Sequence, residues 1–179
     1  NVLKGMQSAF IDIGDKRNTF IRLKDLLPKE DETKTNVEEK INNCNINDII
    51  KPNMKILVQV KRDGTESKGA RVSTHINLPG RFVVFMPNSE FITVSQKIEN
   101  EQERKRLIKT VKQILPKGTG AIVRTSSAGI DEETLKKDLE LLIKRWKVIQ
   151  TDYESYKLNG PKLIYDNKAL LRRTLIDVI

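Results

Sequence analysis

Apolar and polar residues alternate in two short runs near the start of the chain, Ser8–Gly14 and Thr19–Leu23. Successive side chains of a strand point to opposite faces. Ala9, Ile11 and Ile13 therefore share one face of the first run, and Phe10 lies on the other with Ser8 and Asp12. In the second run Ile21 and Leu23 form the apolar face, and Phe20 lies opposite them with Arg22. The charged segment Asp15-Lys16-Arg17-Asn18 joins the two, so residues 1–27 read as strands. Pro28–Asn47 is rich in Glu, Lys and Asn and lacks an apolar period, which predicts a long loop or a polar insertion over 28–50. Alternation returns at Lys55–Lys61, Asp63-Gly64 signals a turn, and Ala70–Ile76 reads as the next strand. Leu78-Pro79-Gly80 predicts a break, and a boundary falls between residues 77 and 78.

The pattern then changes. Phe82–Met86 is continuously apolar, as in a strand buried on both faces. A helix is predicted over Asn100–Leu115, with Leu107, Val111, Ile114 and Leu115 as its apolar stripe and Arg104, Lys105 and Lys112 on the wet side. Pro116-Lys117-Gly118 ends it, and Gly120–Ser126 reads as a short strand followed by a Ser/Gly loop. Asp131 is placed to cap a second helix, in which Leu135, Leu139, Leu142, Ile143, Trp146 and Ile149 keep a helical period. That period makes Trp146 a core residue. Strand, helix, strand, helix predicts an α+β unit beside the first strands. Asn159-Gly160-Pro161 marks another break, and Leu163–Tyr165 with the helix-like Lys168–Ile179 reads as the start of an incomplete segment.

Composition narrows the partners. The formal net charge of +9 over 179 residues suggests a polyanion, without separating RNA from DNA or an acidic membrane surface. The single Cys44 allows no internal disulfide and no zinc cluster, which fits a reducing cytoplasm. No apolar run approaches the ~18 residues of a membrane span, and no signal peptide is visible. The chain opens on Asn1 rather than Met, as a fragment or a processed product would.

Two groups of residues have chemistry to offer. Phe10 and Phe20 lie on the polar faces of neighbouring strands beside cations; there they either stack unpaired bases or cover a neighbouring loop or a second domain. Arg22 adds charge or a stacking plane to the same face. Val123-Arg124-Thr125-Ser126-Ser127-Ala128-Gly129 combines a planar guanidinium with hydroxyls ahead of a helix, which suits either an anion pocket or a solvated strand end. The acidic runs Glu30-Asp31-Glu32, Glu38-Glu39 and Asp131-Glu132-Glu133 read as solvated charge, Asp12 has no carboxylate partner, and His75 reads as structural. No catalytic or metal-ligating residue is therefore assigned.

Met6-Gln7-Ser8-Ala9-Phe10-Ile11-Asp12-Ile13-Gly14, Thr19-Phe20-Ile21, Lys55–Val60 and Lys68-Gly69-Ala70-Arg71 resemble the S1 RNA-binding domain of the ribonuclease E/G family. The resemblance continues through Leu78-Pro79-Gly80-Arg81-Phe82, Phe85-Met86-Pro87-Asn88 and Val123-Arg124-Thr125. It implies an α+β chain: an S1-type oligonucleotide-binding barrel over 1–77 with an incomplete first strand, a 5′-sensor subdomain over 78–161, and the start of a ribonuclease-H-like segment over 162–179. It assigns RNA stacking to Phe10 and Phe20, phosphate contact to Lys68, and 5′-monophosphate binding to Arg124 and Thr125. Gly80 and Val84 would form the floor under the first nucleotide. Gln96, in Ser95-Gln96-Lys97-Ile98-Glu99, replaces an arginine found in many relatives. The implied partner is single-stranded RNA with a 5′-monophosphate, bound without cleavage or cofactor. The implied parent is a homo-oligomeric cytoplasmic endoribonuclease using Mg²⁺, with a structural zinc link, and its catalytic part lies outside this chain. The alternatives are a stand-alone S1-type RNA-binding module without end sensing, and a basic surface for ribosome or membrane association.

Overall fold

The structure is a computed structural model that describes residues 2–26, 44–157 and 160–166. The early alternation produces β1 (Val2–Leu3), β2 (Ser8–Ile11) and β3 (Thr19–Arg22), an antiparallel ladder with Ala9 opposite Ile21 and Phe10 opposite Phe20. β4 (Gln59–Arg62) and β5 (Arg71–Ser73) complete a five-stranded sheet in the order β1-β2-β3-β5-β4. The β3–β5 pair is parallel and sets Phe20 opposite Arg71. β4 runs antiparallel to β5, with an irregularity between Val60 and Arg62 that leaves Arg62 opposite Arg71.

Among the described residues no ladder joins β4 to β1, so the expected closed barrel is found as an open sheet. One face of the sheet buries Ala9, Ile21 and Val72 against Leu23, Ile46 and Ile50. Ile46 opens the short helix α1 (Ile46–Ile49), where Asn45 Oδ1 accepts from Asn47 N at 3.2 Å. The polar reading of 28–50 is thus corrected at its end: two isoleucines anchor that stretch in the core. Residues 27–43 lie outside the described ones. The strand expected over Lys55–Lys61 begins only at Gln59. Ile56 and Val58 pack against the first core while Leu57 packs against a second, so this stretch bridges the two.

The second core lies under a four-stranded sheet. β6 (Leu78–Pro79), β7 (Val83–Met86), β8 (Ile92–Val94) and β9 (Gly120–Val123) pair in the order β6-β7-β9-β8, with β8 and β9 parallel. Leu78-Pro79, expected as a break, is an edge strand, and β8 was not expected. Helices α2 (Glu101–Ile114) and α3 (Glu132–Ser155) supply Leu107, Val111, Leu135, Leu139, Leu142 and Ile149 to this core. Val83 and Phe85 are buried on one face of β7; on the other Met86 is buried and Val84 half-buried, so the second face is covered at Met86 and opens at Val84. Asn100 caps α2 and Asp131 caps α3, the latter accepting from Thr134 N at 2.8 Å. Trp146 packs against the core as expected. Arg104 is not on the wet side: its guanidinium donates to the carbonyls of Ser95 at 2.9 Å and Ile98 at 3.1 Å.

Polar contacts fasten the two sheets together. Gln59 Nε2 donates to Asn77 O at 2.8 Å, and Asn77 N donates to Gln59 Oε1 at 3.0 Å. Asn88 Oδ1 accepts from Ile76 N at 3.2 Å, and Tyr153 Oη donates to Lys55 O at 3.2 Å. Ile164 packs on the second core and Leu163 is exposed; the helix expected over Lys168–Ile179 lies outside the described residues. The described residues form a mixed α+β structure of two sheets and three α-helices. No described helix is long and apolar enough to cross a membrane.

Candidate nucleic-acid interface

The face of the first sheet away from its core carries Phe10 and Phe20. Both are half-buried, and their ring centroids lie 5.9 Å apart with the planes at 64°, edge to face. Aromatic pairs favour this geometry because the positive edge of one ring meets the negative face of the other. Arg22, two residues beyond Phe20, shares that face. Its Nε donates to Asp25 Oδ2 at 3.2 Å. Arg71 Nη2 donates to both oxygens of the same carboxylate, at 3.1 and 3.2 Å. The sequence reading missed Asp25 and Arg71, because a parallel pairing between distant segments leaves no local pattern. Lys68 stands elsewhere, in an exposed turn where its amide donates to Thr65 Oγ1 at 3.2 Å. It lines a hollow with Lys16, Arg17 and Ala70, which Phe10, Phe20 and Arg22 do not line. Gly69, which also lines it, lets the Asn18 backbone approach closely, since a side chain there would run into the Asn18 carbonyl.

Arg124, Thr125 and Gly80 do come together. Arg124 follows β9, and its Nη1 donates to Gly80 O at 2.8 Å. Thr125 opens a 3₁₀ turn over Thr125–Ser127, with its Oγ1 2.9 Å from Ser95 Oγ. Ser126 and Ser127 donate to the carbonyls of Arg81 and Phe82 at 2.9 and 2.7 Å. Val84 is half-buried on the sheet face away from the second core, in a register row with Pro79, Ile122 and Thr93. Gln96, next to Ser95, is exposed.

Two carboxylates hold this turn, and the sequence reading assigned a role to neither. Asp138, on α3, accepts from Arg81 N at 3.2 Å, Phe82 N at 2.9 Å and Val83 N at 3.2 Å. A Cβ on Gly80 would lie 2.6 Å from that carboxylate and 2.9 Å from Leu142 Cδ1, which is why a glycine stands here. Glu103, on α2, takes two bonds from Arg106, both 2.7 Å, and one from Gly129 N at 3.0 Å. Arg106 also donates to Ile130 O at 2.8 Å, so the pair grips the loop after the turn. The Arg106 hydrogen bonds, then the Gly129 amide, lower the Glu103 pKa from 4.5 to about 2. His75 is half-buried, and Asp12 accepts from Gly14 N at 2.8 Å within its own turn. Among the described residues no group of three or more His, Cys, Asp or Glu could hold a metal ion.

Residues 77–179 match the family model described as the Ribonuclease E/G family. Ribonuclease E of a Nostoc species is 38% identical over 179 residues, an alignment covering 99% of this chain and 25% of that protein. Ribonuclease G of Haemophilus influenzae is 36% identical over 178 residues, covering 99% of this chain and 36% of that protein. Ribonuclease G of Escherichia coli K12 is 34% identical over 183 residues, covering 98% and 36%. The chain thus spans between 25% and 36% of the length of these curated relatives.

Gly80→Ala should force Asp138 or Leu142 aside at a cost of roughly 1–3 kcal/mol. Chemical unfolding checks this, and an unchanged midpoint would show that the turn yields freely. Glu103 makes a pH-dependent contribution. Its carboxyl is held below the unfolded value, so its stabilisation is complete above about pH 4.5 and is lost as pH falls toward about 2. Glu103→Gln should therefore cost about 1–2 kcal/mol near neutral pH. The gap between variant and unmodified chain should close through that acid window in urea titrations. A gap independent of pH would contradict the assignment.

Proposed function

The chain belongs to the ribonuclease E/G family, and from that premise we propose that it binds single-stranded RNA on its first sheet and recognises a 5′-monophosphate at the Arg124–Thr125 turn. Five strands in an open sheet fit the partly open five-stranded oligonucleotide-binding fold, of which the S1 domain is one form. The observation that carries the reading is the Phe10–Phe20 pair, 5.9 Å apart on the face turned from the core. Rings so placed stack on bases of any identity. Lys68 and the cations around its hollow attract the backbone without reading sequence.

At the second site Arg124 rests one nitrogen on Gly80 O, and its side chain is exposed. A guanidinium fixed at one corner presents its other donors to an oxyanion in a set orientation. The Thr125 hydroxyl, already near Ser95, offers a further bond. Val84, half-buried on the face away from the core, gives the first nucleotide an apolar surface. Gln96 brings an amide rather than a charge to the neighbouring turn, and favours a second reading: RNA binding without end preference.

The whole protein, on this reading, is a cytoplasmic homo-oligomeric endoribonuclease of RNA processing and decay. Its Mg²⁺ and Zn²⁺ find no ligand set among the described residues. RNA binding and end recognition are the chemistry we assign to this chain.

Phe10→Ala and Phe20→Ala should each weaken binding of a short single strand by about 1–3 kcal/mol with the fold intact. Fluorescence anisotropy reads the change; native affinity in both variants would remove the stacking face. A 5′-monophosphorylated oligonucleotide should bind about tenfold or more tighter than its 5′-hydroxyl counterpart, through a charge-assisted bond. Arg124→Ala should erase that difference and spare 5′-hydroxyl binding. Equal affinities for both ends in the unmodified chain would leave the second reading.

A further inference from the structure

The ring pair continues into a guanidinium group. Phe10 lies opposite Phe20, Phe20 opposite Arg71, and Arg71 opposite Arg62, across β2, β3, β5 and β4. One row perpendicular to the strands therefore reads ring, ring, arginine, arginine. Arg22 lies on the face of Phe20, one pleat along β3.

Asp25 joins Arg22 to Arg71. It is 8% exposed, and its carboxylate takes one bond from Arg22 and two from Arg71. Its main-chain oxygen accepts from Ser73 Oγ at 3.1 Å, Thr74 N at 3.0 Å and Thr74 Oγ1 at 3.0 Å. The carboxylate is therefore fastened to the end of the strand that carries Arg71. The Arg22 and Arg71 side chains stay 37% and 44% exposed, bound on one side and open on the other. Two guanidinium groups against one carboxylate leave a net charge of +1 beside the rings. Arginine's planar fork loses little freedom when its pose is already set.

We propose that this triad is a phosphate subsite for single-stranded RNA, in which Arg71 contacts a backbone phosphate beside the stacked bases. Asp25 is the positioning residue that holds Arg71 and Arg22 in that pose. The inference rests on the reading of the ring face as the RNA-binding face. It adds a contact residue and an anchor that neither ring supplies.

The anchor can be separated from a bystander by sign. Were Asp25 only a neutralising charge, Asp25→Asn would leave a more cationic face, and RNA would bind tighter with a steeper salt dependence. A positioning carboxylate gives the opposite: weaker binding despite the added positive charge.

The test measures binding of a 5′-hydroxyl oligonucleotide to the full chain across a salt series, which keeps the Arg124 turn out of the comparison. Arg71→Ala should weaken binding about tenfold. It should also flatten the plot of log K against log salt by about 0.7, the share of one phosphate on a single strand. Arg71→Lys should keep the slope and recover only part of the affinity. Asp25→Asn should weaken binding with its circular dichroism unchanged. Unchanged affinity and slope in Arg71→Ala, or tighter binding by Asp25→Asn, overturns the subsite. Should Asp25→Asn fail to fold, the exposed Arg71 variants decide. Phe10→Ala run alongside keeps the two readings apart. If it too has no effect, the RNA face itself is rejected. If it weakens binding while Arg71→Ala does not, only the subsite falls.

Discussion

Asp138 carries a carboxylate from α3 into the turn between β6 and β7, where it accepts the amides of Arg81, Phe82 and Val83. Phe82 and Val83 are buried, and leaving a buried donor without a partner costs about 1–3 kcal/mol, so their amides on one carboxylate make a strong local constraint. The candidate anion site is built on that constraint. The carbonyls of Gly80, Arg81 and Phe82 are then set as acceptors for Arg124, Ser126 and Ser127. One end of the Arg-Thr-Ser-Ser turn thus lies on a backbone that α3 has already set. The Glu103–Arg106 pair secures the other end at Gly129 and Ile130.

The first sheet uses the same device with the charges reversed in role. There the carboxylate of Asp25 meets side chains rather than amides, and the main chain of Asp25 does the fastening. Between the sheets the contacts are neutral. Gln59 and Asn77 exchange a pair of bonds, as two peptide groups would in a ladder, and Asn88 adds bonds to the connecting segment. Amides suit that place because each offers a donor and an acceptor at once and carries no charge to desolvate.

The legible parts of the chain were those with short-range patterns. Side-chain parity placed Phe10 and Phe20 on one face, and helical spacing placed Leu107, Val111, Leu135, Leu139 and Trp146 in a core. The caps at Asn100 and Asp131 also obey local rules. The strand Ile92–Val94 escaped notice because three residues carry too little alternation to register. Ile46 and Ile50 were lost in a polar stretch, since two apolar residues show no period. Arg104 read as wet from its helical angle, but its long side chain reaches back to the carbonyls before the helix. Asp25, Arg71 and Asp138 act across gaps of 46 to 57 residues, which no local window spans.

Among the described residues each sheet is open, and an open edge is a template on which another chain could add a strand. In the first sheet β1 is only two residues long. The other edge, β4, carries Lys61 and Arg62 and is irregular next to Arg62, so an incoming strand would meet cations and lose register. In the second sheet β6 is two residues long and one of them is Pro79, which has no amide to donate. β8, at the far side, stops after three residues. Charge and brevity at these borders disfavour edge-to-edge pairing.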